Sequence, residues 1–296
     1  MPFPVSDVLK RISGVLTPLI PARFRAGIPV VPVVRLSGVI GMSTPLKPGL
    51  MLASVAKALD RAFAVRNAKA VALAINSPGG SPAQSHLIFR RIRQLAEEKN
   101  IPVLAFVEDV GASGGYMLAC AGDEIIADTY SIVGSIGVVG GSFGFDKLIE
   151  KIGIERRLYT SGDNKAMLDP FLPEKPEDVK RLKSIQKEIH ENFIALVKRR
   201  RGSKLKGPDK TMFSGEYWTA AGARGHGLID EIGDLRSVLR ERYGDKVKTP
   251  LIVGERNWFG RAAQGVGLGR FTGRSDFAED IVSALEARAL WSRYGL

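Results

Sequence analysis

Alternation of short apolar runs with longer amphipathic stretches predicts an α/β fold, a parallel sheet covered by helices. Apolar runs of strand length, residues 70–75 and 103–110, are separated by stretches with helical spacing. Glycine-rich clusters succeed those runs, as in Asn76-Ser77-Pro78-Gly79-Gly80 and Gly111-Ala112-Ser113-Gly114-Gly115. At 296 residues, with 45% hydrophobic and 25% charged content, the chain is long enough to bury a substantial core.

Taken in order, residues 31–36 read as a strand, 50–65 as a helix and 71–75 as a second strand. Residues 84–98 come next as a helix and 102–108 as a third strand. A helix opens at Tyr116, 124–127 give a short strand, and 146–152 and 174–201 return to helical spacing. Parallel strands joined this way bring the loops at their C-terminal ends to one edge, where α/β proteins bind ligands. Residues 1–29 read as an amphipathic appendage, with Val5, Val8, Leu9, Ile12, Val15, Leu16 and Leu19 on one helical face. Residues 254–273, rich in glycine and arginine, read as a linker, and 277–294 as a further helix. The expected organisation is an appendage over 1–29, a main domain over 30–245 and a C-terminal extension over 246–296.

Two glycine-punctuated loops carry candidate chemistry. Ser113 stands at a strand-to-helix turn, which projects its hydroxyl from the sheet edge. Lys165 stands in Ser161-Gly162-Asp163-Asn164-Lys165 and, as a neutral amine, could take the proton from that hydroxyl. The paired glycines of the Pro78-Gly79-Gly80 loop can aim backbone N–H groups into a site, as an oxyanion hole requires. Each motif also reads as a plain turn, since serine and glycine are common turn residues.

Together the motifs resemble the SppA-type signal peptide peptidases of the ClpP/crotonase superfamily. The matching stretches are INSPGG (75–80), ASGGY (112–116), VGSIGVV (133–139), SGDNKAMLDPF (161–171) and the closing 214–233. The resemblance covers roughly residues 30–240. It implies a ClpP/crotonase-like spiral of βα units with covering helices, acting as a serine endopeptidase on short or unfolded peptides. It also implies Ser113 as nucleophile, Lys165 as general base, and Ser135 orienting the lysine. Gly79 or Gly80, with Gly114, would hold the oxyanion. Members of this family form ring-like or dome-like homo-oligomers in which the lysine can come from a neighbouring protomer, so self-association is expected.

Competing readings remain at this level. Gly111-Ala112-Ser113-Gly114-Gly115 also fits the nucleophile elbow of α/β-hydrolase esterases, which would need a downstream histidine such as His226. His190 falls in the polar helix and reads as a surface residue. A crotonase-like acyl-CoA enzyme shares paired-glycine loops but needs no serine–lysine pair, and an inactive oligomeric scaffold needs neither.

Composition narrows the rest. Cys120 is the single cysteine, in an apolar stretch, which fits a reducing compartment and a small buried filler. No CxxC or HExxH pattern points to a metal, and no cofactor is expected. The net charge is +12, sharpest at Lys198-Arg199-Arg200-Arg201, which reads as a solvated face or as a contact for anionic lipid. Basic residues are not interleaved with aromatics, so no nucleic acid is expected. Asp7, Lys10 and Arg11 interrupt the N-terminal apolar residues, so neither a signal peptide nor a spanning helix is expected there. The expected location is cytoplasmic, with peripheral contact at the inner face of the membrane through residues 5–19.

Overall fold

Residues 71–77 and 103–112 are buried on both faces, and a strand of that kind belongs inside a parallel sheet with layers on each side. A computed structural model describes residues 28–41 and 49–253, together with 289, 291, 292 and 294. The expected appendage helix and the 254–273 linker lie outside the described residues, as does nearly all of 277–294.

The described strands are β1 (Val33–Ser37), β2 (Val71–Ser77), β3 (Val103–Ala112), β4 (Glu124–Ala127), β5 (Ile132–Gly134), β6 (Tyr217–Thr219), β7 (Glu231–Ile232) and β8 (Leu251–Ile252). They form one sheet in the order β6-β5-β3-β2-β1-β8, and β4 joins β3 to β7. Every pairing is parallel except β5 with β6. β3 is the pivot. Its first half, Leu104 to Val107, pairs with β4, and its last residues, Val110 to Ala112, pair with β5. The β2–β3 register slips between Ile75 and Ser77 at the same level. An irregularity of this kind bends the strand and re-aims the residues beyond it. Residues 248–252, placed by sequence in a C-terminal extension, run along β1 at the sheet edge: the Val31 amide donates to Lys248 at 2.8 Å.

The helices are α1 (Leu52–Phe63), α2 (Pro82–Lys99), α3 (Gly114–Ala119), α4 (Asp146–Lys151), α5 (Pro176–Arg201), α6 (Asp209–Met212), α7 (Ala220–Gly225) and α8 (Leu235–Tyr243). Local chemistry sets their ends. The Ser81 hydroxyl accepts from the Gln84 amide, Pro82 fills the first position, and Asn100 closes α2 in the left-handed conformation. Asp234 caps α8 by accepting from the Arg236 and Ser237 amides at 2.9 and 3.0 Å. α5 has Glu177 and Asp178 in its first turn and four cations in its last, which suits the helix dipole at both ends.

The core has two layers. Leu36, Leu59, Phe63, Leu73, Ile75, Ile88 and Tyr116 fill one face of the sheet under α1, α2 and α3. Val33, Ala72, Phe106, Val238 and Leu239 fill the other under α8. Tyr294 closes a small third cluster with Val110 and Ala112. The arm between β5 and α5 differs from the rest: α4 has no buried residue.

Candidate active site

β3 delivers Ser113 at its end, where the chain turns directly into α3. The Ser113 backbone has φ 53° and ψ −122°, a conformation that side-chain-bearing residues rarely adopt. Two bonds hold it there. Its amide donates to the Gly134 carbonyl at 2.8 Å, and its carbonyl accepts from the Met117 amide at 3.1 Å. The strain lifts the side chain off the sheet at the first turn of α3. No hydrogen bond to the hydroxyl is found among the described residues.

The Gly79–Gly80 loop lies against this turn. A Cβ on Gly79 would sit 2.8 Å from both the Gly114 nitrogen and the Ser113 Cβ. Gly80, at φ +137°, is pinned on β1's extension, where a Cβ would come within 2.2 Å of the Ile40 carbonyl oxygen. The Gly79 amide is engaged, donating to the Ser77 hydroxyl at 3.2 Å, and that hydroxyl donates to Gly38 at 2.7 Å. The amides of Gly80 and Gly114 have no such partner among the described residues.

A cleft of about 320 Å³ opens over Ser113, lined by Ser135, Gly137, His190, Ser214 and Gly215 among others. Ser135 is buried and also left-handed, at φ 51°, and its amide donates to the Glu216 carbonyl at 2.6 Å. The Ser214 hydroxyl is used locally, donating to Thr211 at 2.9 Å. His190, a surface residue of α5 by its sequence setting, is half-buried instead, and its Nε2 lies 3.1 Å from the Ile136 carbonyl. Helical spacing alone cannot show which face of α5 meets the sheet end. His226, the other histidine after Ser113 apart from His190, packs its ring against Trp218 at 4.8 Å and does not line the cleft.

Lys165 does not line it either. It is exposed on the arm between β5 and α5. That arm shows solvent Val139, Phe143, Leu148, Ile152, Ile154 and Tyr159. Phe143, Phe145 and Phe171 form a ring cluster on it, with the Arg156 guanidinium over Phe171. A larger cavity, about 720 Å³, opens on the other face of the sheet over Ala74, Phe106 and Leu251. It holds neither Ser113 nor Lys165, so size does not locate the chemistry. No group of three or more His, Cys, Asp or Glu side chains that could hold a metal ion is found among the described residues.

Beneath α3 the basic run of α5 proves structural. The Arg200 guanidinium donates to the Cys120 and Gly122 carbonyls at 2.8 and 2.9 Å, capping the end of α3. Buried Arg201 donates to Gly227 at 3.0 Å and forks onto Asp230 at 2.8 and 3.1 Å. Lys198 pairs with Asp209, so three of the four cations read as a solvated or lipid-facing run have partners within the chain. The Tyr116 hydroxyl donates to Leu228 at 2.7 Å and anchors α3 from inside. Burial raises the Tyr116 hydroxyl well above its ordinary value and pushes the Cys120 thiol up to about 12. Burial would also raise Asp230, but the bonds from Arg201, Lys204 and the Ile125 amide outweigh it and hold the carboxyl at about 2.

Comparison with known proteins places this arrangement. A protein of Brucella abortus named Na(+)/H(+) antiporter NhaA is 53% identical over 303 residues, covering 98% of this chain and 41% of that protein. The name describes that longer protein; among the described residues here no helix is long and apolar enough to cross a membrane. Serine protease SPPA, chloroplastic, of Arabidopsis thaliana is 36% identical over 171 residues, 56% of this chain and 24% of that protein. This chain thus spans less than half the length of these relatives. A solved membrane-bound stomatin-specific protease overlays with a TM-score of 0.48 and 16% identity, covering 77% of this chain and 100% of that one. The model of peptidase family S49, whose fold is ClpP-like, matches residues 95–247, just over half of the 296. The match takes in the Ser113 turn, the Ser135 loop, the arm with Lys165 and the cleft wall of α5, and the chain belongs to peptidase family S49.

Proposed function

We propose that this chain is a serine endopeptidase acting on short or unfolded peptides, signal-peptide remnants or segments of that kind, through Ser113 and Lys165. The observation that carries the reading is the strained Ser113 turn at a cleft, with the Gly79–Gly80 loop packed against it and the amides of Gly80 and Gly114 unengaged among the described residues. Strain of that kind clusters at reacting residues. Lys165 in its neutral form takes the Ser113 proton, and the oxygen attacks the substrate carbonyl. The Gly80 and Gly114 amides receive the negative charge that develops on the carbonyl oxygen. Lys165 then gives its proton to the leaving amine, takes a proton from the water that attacks the acyl carbon, and returns it to the Ser113 oxygen as the acyl–oxygen bond breaks.

The reading needs a second copy. Lys165 sits on an arm with an uncovered apolar surface, away from the cleft of its own chain. A lysine serves as a base only when neutral, which burial favours. Docking of the arm on a neighbouring protomer supplies that burial and brings the amine toward Ser113, where the free Ser135 hydroxyl can orient it. The positive charge and residues 5–19 add weak, peripheral binding to anionic membrane from the cytoplasmic side. The test is labelling with a fluorophosphonate, which reacts with activated serines. Wild type should label and hydrolyse an unstructured peptide, and Ser113→Ala should do neither. Equal labelling of both would sink the reading.

A further inference from the structure

We propose that His190 is a positioning residue that holds the Ser135 loop in register with Ser113. The inference rests on the Ser113–Lys165 reading and deepens it.

The loop after β5 is hard to hold. Gly134 and Ser135 both have positive φ, at 116° and 51°, and only the second carries a side chain that resists it. Three backbone bonds support the turn: Ser113 donates to the Gly134 carbonyl at 2.8 Å, Ser135 donates to Glu216 at 2.6 Å, and Gly137 donates to the Ser135 carbonyl at 3.0 Å. The next carbonyl, Ile136, is where α5 reaches in. His190 Nε2 lies 3.1 Å from it, and a carbonyl oxygen can only accept, so Nε2 carries the hydrogen. Among the described residues this is the one side-chain hydrogen bond between α5 and residues 134–140. One turn earlier on α5, Gln186 lies where a Cβ on Gly140 would meet its amide at 2.8 Å. α5 is therefore the wall of the loop, and His190 its tie.

The consequence falls on Ser135. Ser135 lines the cleft with Ser113, and its hydroxyl has no hydrogen-bond partner among the described residues, so the loop backbone sets its place. The bond makes Nε2 the hydrogen-bearing nitrogen and leaves the ring's lone pair on Nδ1. What the geometry shows is a tie to the loop that carries Ser135, so His190 acts through Ser135, on the group that orients the incoming amine. The glutamine variant, which keeps a donor and has no titrating ring, separates this role from proton transfer by Nδ1.

The test compares wild type with His190→Ala and His190→Gln in kcat, KM and pH profile on an unstructured peptide, with Ser113→Ala alongside. Glutamine offers an amide hydrogen at similar reach but cannot carry a proton to and fro. His190→Ala should lose about ten- to a hundredfold in kcat, the scale of a misplaced catalytic group, with KM within about twofold. His190→Gln should recover most of that loss and keep the shape of the wild-type pH profile. If His190→Ala does not assemble, His190→Asn, whose shorter amide falls short of Ile136, takes its place. Two results overturn the proposal: normal kcat in His190→Ala, or a His190→Gln as slow as His190→Ala whose residual rate has lost the acid limb of the wild-type profile, which would make the imidazole a proton carrier. Activity in Ser113→Ala would instead bring down the dyad reading itself, a result the His190 variants cannot mimic.

Discussion

At the scale of single residues, the site is defined by conformations that cost free energy and by the bonds that impose them. Ser113 and Ser135 are both held at positive φ, and the Ser113 amide is tied to Gly134, next to Ser135. One hydrogen bond thus couples the two serines. Ser113→Ala and Lys165→Ala should each lower turnover by on the order of 10³-fold or more, and the double change should add little, because groups that act as a unit are not additive. Comparing kcat for the three variants checks this; a double mutant far worse than either single change would show two independent roles. The support beneath the site is testable without activity. Arg201 is 3% exposed and is paired with Asp230, so Arg201→Met leaves a carboxylate with Lys204 as its remaining charged partner. The expected cost is about 3 kcal/mol in denaturant unfolding, the low end for breaking a buried pair. A loss under about 1 kcal/mol would mean that Lys204 alone suffices.

Among elements, those that local pattern can specify and those that it cannot separate cleanly. α1, α2, β2 and β4 fall within two or three residues of their sequence readings, because apolar period and caps such as Ser81 and Asn100 are written locally. β5, β6, β7 and β8 carry two or three residues each and leave no pattern in the sequence. Strands that short exist only through partners distant in sequence, as β8 does through β1. Ser113 is legible from its strand–turn–helix setting. The choice between Gly79 and Gly80 is not, since it turns on the Ser77 hydroxyl occupying one amide. The exposed arm is the element with the most to reveal. Its rings at Phe143, Phe145 and Phe171 contact one another rather than the core. Phe143→Ser with Phe171→Ser should weaken self-association about tenfold or more, as truncating buried interface aromatics does, while the thermal midpoint of the dissociated chain stays unchanged. Analytical ultracentrifugation decides it: an unaltered association constant would show that the arm is not the contact.

For the whole molecule, titration sets the pH range of the fold, and assembly is the condition that the proposed serine–lysine chemistry requires. Asp230 is depressed from 3.8 to about 2, so its contribution is present above pH 3.8 and is lost as pH falls through 2. Cys120 is raised from 9.0 to about 12, so its contribution is present below pH 9 and is lost as pH rises through 12. Thermal midpoints should therefore hold steady between about pH 4 and 9 with respect to these groups and fall on both sides; Asp230→Asn should blunt the acid fall. Assembly carries the stronger claim. Within one chain a strained serine lines the cleft and the nearby Gly114 amide is unengaged among the described residues, yet the proposed base is exposed elsewhere. If neighbours exchange that base, a protomer lacking Ser113 can still lend Lys165, and one lacking Lys165 can still use its own Ser113. Equal amounts of Ser113→Ala and Lys165→Ala, each inactive alone, should regain on the order of a quarter of wild-type activity on random mixing, since half the sites keep Ser113 and half of those meet an intact lysine. Fluorophosphonate should then label only the Lys165→Ala chain. A mixture as inactive as its components, under conditions where wild type is shown to exchange subunits, would place the lysine and serine of each site on the same chain.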